Sequence, residues 1–145
     1  MKSVPGPTRP LPLLTELNTF FWTGGADGKL RMQRCLDCQY WQHPAGAICP
    51  QCLSRNLAPQ ELSGRATVEA FTLNYQPWTD GVEVPYVIAI VGLDEQKGLN
   101  LTTNIVGIAP ESVFIGQRVE VTFEAAGDVF LPLFTPAPEL GTKPV

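Results

Sequence analysis

Every cysteine of this 145-residue chain falls in one short run, CLDCQYWQHPAGAICPQC at 35–52, as two C-x-x-C pairs separated by ten residues. Thiolates at that spacing can turn toward a common point, and two such pairs supply the four soft donors of a tetrahedral metal site. Cys35, Cys38, Cys49 and Cys52 are therefore the candidate ligands. With all four positions filled by protein sulfur, none stays open for water or substrate, which points to a structural rather than a catalytic ion. Zinc is favoured, and iron uses the same donor set. Such an ion contributes on the order of 10 kcal/mol to folding, enough to order a ribbon with little apolar core of its own. Removing it is expected to unfold residues 29–58 first. The competing uses of these thiols fit less well: paired disulfides belong to oxidising compartments, and redox dithiols usually stand alone at a helix start within a thioredoxin-like pattern.

Other reactive chemistry is sparse. His43 is the sole histidine, followed by Pro44 in the loop between the cysteine pairs, and no Ser-His-Asp set can be assembled without it. No cysteine remains over to act as a nucleophile. Asp80 and Glu83, in the loop QPWTDGVEVP, read either as an acid–base pair or as solvated loop charge. Phosphate loops and dinucleotide fingerprints are absent. Phe71, Tyr75, Trp78 and Tyr86 lie on or beside two strands and read either as base-stacking platforms or as core. Covalent catalysis by this chain alone is not expected; its contribution to an enzyme would be binding or assembly.

The elements that must position the cysteines are mostly strands. Fourteen prolines and thirteen glycines against a charged fraction of 17% favour short strands joined by turns over long solvated helices. From Gly64 onward apolar residues recur with period two at 65–75, 85–93, 99–107, 118–126 and 129–134. Segment 94–98, DEQKG, reads as a hairpin loop and Gly127-Asp128 as a turn, while IAPESVFIGQ has room for a helical turn between the third and fourth strands. Five strands with that insertion match an OB-fold barrel. Upstream, Leu13, Leu14, Leu17, Phe20 and Phe21 recur at helical spacing up to Trp22, before a Gly24-Gly25 stop. That predicts one short amphipathic helix, whose stripe docks either on its own domain or on another subunit. Pro5, Pro7, Pro10 and Pro12 keep the start extended, and the tail from Thr135 shares that character. The expected organisation is mainly β: an N-terminal extension with a short helix over 1–28, a ribbon over 29–60, a five-stranded barrel over 61–138 and a tail over 139–145.

Charge is unevenly spread. Residues 29–55 carry Lys29, Arg31, Arg34 and Arg55 against Asp37 alone, whereas residues 64–134 hold three basic and nine acidic side chains. An anionic ligand would be steered toward the cysteines, and a barrel this acidic repels a phosphate backbone, so nucleic acid is not an expected partner. The longest apolar run, around Tyr86–Leu93, is strand-sized, so no membrane span is expected. The start of the chain carries no secretory pattern, so a cytoplasmic location is expected.

Taken in order, FFWTGGADGKLRMQRCLDC, HPAGAICPQC, PYVIAIVGLDE, LTTNIVG, IGQRVEVTFE and LPLFTPA over residues 20–138 resemble a ribbon-plus-barrel family of acyl-CoA-associated proteins, first catalogued as a domain of unknown function. The resemblance implies a rubredoxin-like zinc ribbon followed by an OB-fold, with the four cysteines as zinc ligands. It also implies a non-catalytic subunit that binds a thiolase-superfamily enzyme and helps to build its acyl-CoA channel. One family setting is steroid side-chain degradation, where the partner is a lipid-transfer-protein-like aldolase performing retro-aldol cleavage of a CoA thioester. Another couples a thiolase to hydroxymethylglutaryl-CoA synthase. Because thiolase-like enzymes are usually dimers, a two-plus-two heterotetramer is the natural assembly. Within it Arg31, Arg34 and Arg55 are candidate contacts for CoA phosphates, the alternative being that they are solvated or pair with a partner's acids. Two features depart from the family pattern: Gln39 and Leu53 stand where each knuckle usually has glycine, and the usual LDEG turn is lengthened to LDEQKG.

Overall fold

The period-two segments become five strands that close on themselves. Residues 10–78 and 81–138 are described by the computed structural model; Asp80, the prolines at 5 and 7 and the tail from 139 lie outside them. The strands β4 (Arg65–Asn74), β5 (Tyr86–Leu93), β6 (Asn100–Ile105), β7 (Arg118–Ala126) and β8 (Val129–Pro136) form a closed barrel in the order β4-β5-β6-β8-β7. All pairings are antiparallel except β6 with β8, which meet in parallel at Ile105 and Phe134. This is the OB-fold topology, with a 3-10 turn at Pro110–Ser112 between β6 and β7 as expected. Alternate side chains point inward, so Val68, Val87, Val91, Val119 and Phe134 are fully buried. The last strand runs two residues beyond its expected end, because Thr135 and Pro136 still pair with Glu120 and Val119.

The cysteine region forms a second, three-stranded sheet in the order β2-β1-β3, from β1 (Arg31–Cys35), β2 (Trp41–Gln42) and β3 (Leu57–Glu61). Pro59 argues against a strand in β3, yet it is tolerated because β3 is an outer strand, where a missing donor leaves no ladder bond unmade. The ribbon is not held by metal alone. Leu30, Met32 and Trp41 lie in the same buried cluster as the barrel's Val68 and Val91. The 94–98 hairpin completes the seam: Trp41 N–H donates to Gln96 Oε1 and Gln96 Nε2 donates back to Trp41 O, each at 2.9 Å. Beside it, Ser63 N–H donates to Glu95 at 2.7 Å.

The expected helix from Leu13 to Trp22 is shorter than its periodicity suggests. Only α1 (Thr19–Thr23) is helical, continued by a 3-10 turn over Gly24–Asp27. Upstream, Thr15 and Asn18 bond each other's backbone through their side chains, and Asn18 Nδ2 reaches Leu13 O at 3.0 Å. These local bonds satisfy the backbone in a turn and compete with helix. The apolar stripe consequently splits. Phe21 is buried and Trp22 packs over β8, whereas Leu13, Leu14 and Leu17 remain exposed. Gly25 lets the turn reach the barrel, since a Cβ there would lie 2.7 Å from both Phe123 Cγ and Phe130 Cβ.

At the far end of the hairpin Asp94 receives Arg118 through two bonds, at 2.8 and 2.7 Å. Those bonds hold the Asp94 carboxyl below the usual carboxylate range against an opposing effect of burial. A lowered folded-state pKa stabilises the fold above the unfolded value of about 4 and loses that contribution as pH falls through the folded value. The pair is partly solvated, so its worth is about 1 kcal/mol or less. Urea titrations should show wild type exceeding Asp94→Asn by that margin at pH 7, with the margin shrinking as pH falls below about 4; a margin that stays constant in acid would contradict this assignment.

Candidate metal centre

Two turns of identical construction present the cysteines. In the first, Gln39 N–H donates to Cys35 O and Cys35 N–H to Tyr40 O; in the second, Leu53 N–H donates to Cys49 O and Cys49 N–H to Ser54 O, all at 2.9 Å. Each turn closes through a left-handed residue, Gln39 at φ 72° and Leu53 at φ 66°. The glycine-type geometry is thus adopted without glycine, at a cost of about 1–2 kcal/mol per residue. Leu53→Gly should therefore stabilise the ribbon by about 1 kcal/mol net of added chain entropy, since the Leu53 side chain is 74% exposed and buries little. A higher chelator concentration at half-release of the ion would report the gain, and a lower one would contradict it.

The four Sγ atoms lie within 4.8 Å of one another, with Cys35–Cys52 and Cys38–Cys49 at 3.6 Å. Disulfide sulfurs stand about 2.05 Å apart, and all four thiols are free. A tetrahedral zinc with bonds of about 2.3 Å has sulfur–sulfur edges of about 3.8 Å, so the cage fits that ion. Backbone N–H groups point at the inner sulfurs, Cys38 N to Cys35 Sγ at 3.4 Å and Gln51 N to Cys49 Sγ at 3.3 Å. The Cys38 N–H bond outweighs burial and brings Cys35 down to about 6. At Cys52 the Ser54 N–H pulls downward, but burial and the three neighbouring thiols together push it up to about 12. Four sulfurs this close cannot all ionise without a cation among them. Asp37 ties the two turns together by accepting from Ser54 Oγ at 2.5 Å and Asn56 Nδ2 at 3.1 Å, bonds that lower its pKa in that order.

The three arginines have different surroundings. Arg31 is engaged by Asp27 at 2.8 Å and Glu61 at 3.3 Å, and Lys29 lies 3.8 Å from the same Glu61. Half the basic charge of residues 29–55 is thus balanced by acids just outside that window. Arg34 lies over the Trp41 ring at 4.7 Å and donates to Gln39 O at 2.9 Å; Arg55 is exposed. His43 stacks on Phe21 at 4.6 Å, and burial lowers its pKa. Glu83 is exposed on the rim of a groove of about 780 Å³. Of the aromatics, Phe71 packs against the core, Tyr86 is half-buried, and Tyr75 and Trp78 are exposed. Sequence reading missed two glutamine clasps on the loop between the cysteine pairs: Gln96 on Trp41, and Gln33, whose side chain exchanges bonds of 2.9 and 3.0 Å with Gly46. Gln33 is buried beside Met32 in β1, although alternation puts the two on opposite faces, and its residue type gives no sequence signal of this role.

A four-cysteine ribbon joined to an OB-fold barrel defines the class. Residues 22–58 match the family model for the ChsH2 rubredoxin-like zinc ribbon domain, and residues 59–124 that for the ChsH2 C-terminal OB-fold domain. A DUF35 domain-containing scaffold protein of Methanothermobacter thermautotrophicus is 34% identical over 92 residues, 62% of this chain and 68% of that protein. A chain of the Ltp2-ChsH2(DUF35) aldolase structure superposes with TM-score 0.79 at 34% identity, covering 87% of this chain and 98% of that one. The protein belongs to this ChsH2-type, or DUF35, family. Longer relatives include a probable enoyl-CoA hydratase alpha subunit of Thermomonospora curvata, 37% identical over 92% of this chain but 41% of its own length. Another is a 3-oxo-4,17-pregnadiene-20-carboxyl-CoA hydratase alpha subunit of Mycobacterium tuberculosis, 36% identical over 77% of this chain and 35% of its own. The chain thus spans about two fifths or less of these hydratase subunits. The sulfur cage and the zinc-ribbon match together support a structural zinc. Among the described residues, no helix is long and apolar enough to cross a membrane.

Proposed function

We propose that this chain is a non-catalytic accessory subunit, acting in the cytoplasm, that binds a thiolase-superfamily enzyme of the lipid-transfer-protein-like type and supports its acyl-CoA chemistry. The observation that carries this reading is the 98% coverage of a chain in the Ltp2-ChsH2(DUF35) aldolase. It is supported by the commitment of every cysteine to one cage and by the packing of His43 on Phe21. Retro-aldol cleavage of a steroid side-chain CoA thioester is the reaction we favour, on the strength of that aldolase and of the pregnadiene-carboxyl-CoA hydratase relative. Two copies of each chain form the complex. A second setting, carried over from the family resemblance, is service to a thiolase; the relatives named as scaffold proteins support an assembly role of that kind. If CoA is touched directly, exposed Arg55 is better placed to donate to a phosphate than Arg31, which two carboxylates already hold. The structural ion is zinc, with elemental analysis separating it from iron.

Co-expression with a lipid-transfer-protein-like thiolase-superfamily enzyme of the same organism tests the proposal. Stable co-purification, with aldol cleavage that depends on both chains, is expected. A partner that is fully soluble and active alone would end it.

A further inference from the structure

The outer wall of the barrel changes character around its circumference. Over β8 it is covered, because Val129, Leu131 and Leu133 are buried with Trp22 packed on them. Among the described residues, Ala70, Thr72 and Ile90 on β4 and β5 are exposed, while at the β6 edge Pro10 and Leu11 line the same grooves as Thr102 and Asn104. Strand register sets Ala70 beside Ile90 and Ile90 beside Thr102, and in the next row Thr72 beside Ile88 and Ile88 beside Asn104. Neither row contains an ionisable group, although residues 64–134 carry nine acids and three bases. Ile90 is 38% exposed at the centre. Loss of charge from the middle of a patch is what distinguishes the buried centre of a protein interface from ordinary surface.

The frame of this wall is acidic at both ends. At one end the bulge between Val68 and Ala70 throws Glu69 outward, and its carboxylate lies against Gly92. At the other, Glu83 and Glu124 flank the groove of about 780 Å³ that Tyr86, Ile88 and Asn104 also line. OB barrels that hold nucleic acid use this same wall, but within a basic surround. Acidic ends repel phosphate, whether of nucleic acid or of an anionic lipid surface, and complement lysine and arginine.

We propose that the β4-β5-β6 wall is the docking surface for the catalytic subunit, and that the surface it meets has an apolar centre framed by basic side chains. This rests on the accessory-subunit reading and names the face that serves it. The uncharged rows supply the desolvated centre on which affinity depends, and Glu69 and Glu83 set approach and register.

The test uses the full chain co-expressed with a lipid-transfer-protein-like thiolase-superfamily enzyme of the same organism. Wild type is compared with Ile90→Lys, with Thr102→Lys as a second probe should Ile90→Lys fail to fold, and with Glu111→Lys, on the 3-10 turn outside the two rows, as a control. Wild type and Glu111→Lys should bind alike. Ile90→Lys should keep its melting temperature and zinc yet bind the enzyme about tenfold more weakly or worse. Glu69→Lys should slow association and flatten its salt dependence. Undiminished binding by folded Ile90→Lys and Thr102→Lys overturns the surface while leaving the accessory role intact. Failure of wild type to bind the enzyme at all overturns both. Displacement of the enzyme by a single-stranded oligonucleotide would assign the wall to nucleic acid and overturn the proposal.

Discussion

Stripping the ion with a strong chelator under reducing conditions is expected to melt the two cysteine turns and leave the barrel standing. The ion contributes on the order of 10 kcal/mol, more than the neighbouring contacts of those turns can replace. Without it the cage must hold a thiol drawn down to about 6 at Cys35 against one pushed up to about 12 at Cys52, while Gln39 and Leu53 keep the cost of their positive φ. The unfolding should nevertheless stop short of the whole ribbon. Leu30 and Met32 are 2% and 0% exposed and share the barrel's core, so the start of β1 remains anchored when the sulfurs let go. Amide hydrogen exchange should therefore lose protection over residues 35–56 and retain it over 30–33 and 64–136. Cys49→Ser should reproduce the pattern in untreated protein. Collapse of barrel protection together with the turns, or a preparation with no ion to remove, would contradict this picture.

That boundary differs from the one expected from sequence, and the difference shows what a linear reading can carry. The donors of the cage were legible because ligand chemistry depends on residue type and short spacing. The five barrel strands were legible because period-two alternation is local, and the 94–98 hairpin because turn residues announce themselves. The helix was overestimated because Leu13, Leu14 and Leu17 keep helical spacing while Thr15 and Asn18 form a competing turn that a periodicity count does not weigh. β3 was missed because Pro59 counts against a strand until its outer position is known. The ribbon's apparent cationic character was exaggerated, since Asp27 and Glu61 lie just beyond the window that counted Lys29 and Arg31. Least legible was Gln96, a polar residue in a hairpin loop whose partner lies 55 positions away. It belongs to the 94–98 hairpin loop, so a loop residue supplies the bonds that fix one part of the molecule on the other.

The seam so formed is expected to be separable from the metal. Trp41 is 5% exposed, shares the common core, lies beneath the Arg34 guanidinium at 4.7 Å and has both backbone polar groups engaged by Gln96. Replacing it with alanine removes a large aromatic from a closed site, a change that typically costs 3–5 kcal/mol, roughly the transfer free energy of the ring plus the cavity left behind. None of that loss falls on the sulfurs, which the two turns and the Asp37 bonds to Ser54 and Asn56 hold independently. Trp41→Ala should therefore retain one zinc per chain while its thermal unfolding changes from one cooperative transition to two, the ribbon loosening before the barrel. Gln96→Ala should move in the same direction by about 1–2 kcal/mol, the cost of leaving the Trp41 backbone without its partners. If Trp41→Ala instead loses its zinc in proportion to its stability, the two halves form a single cooperative unit, and metal and seam cannot be separated as this arrangement requires.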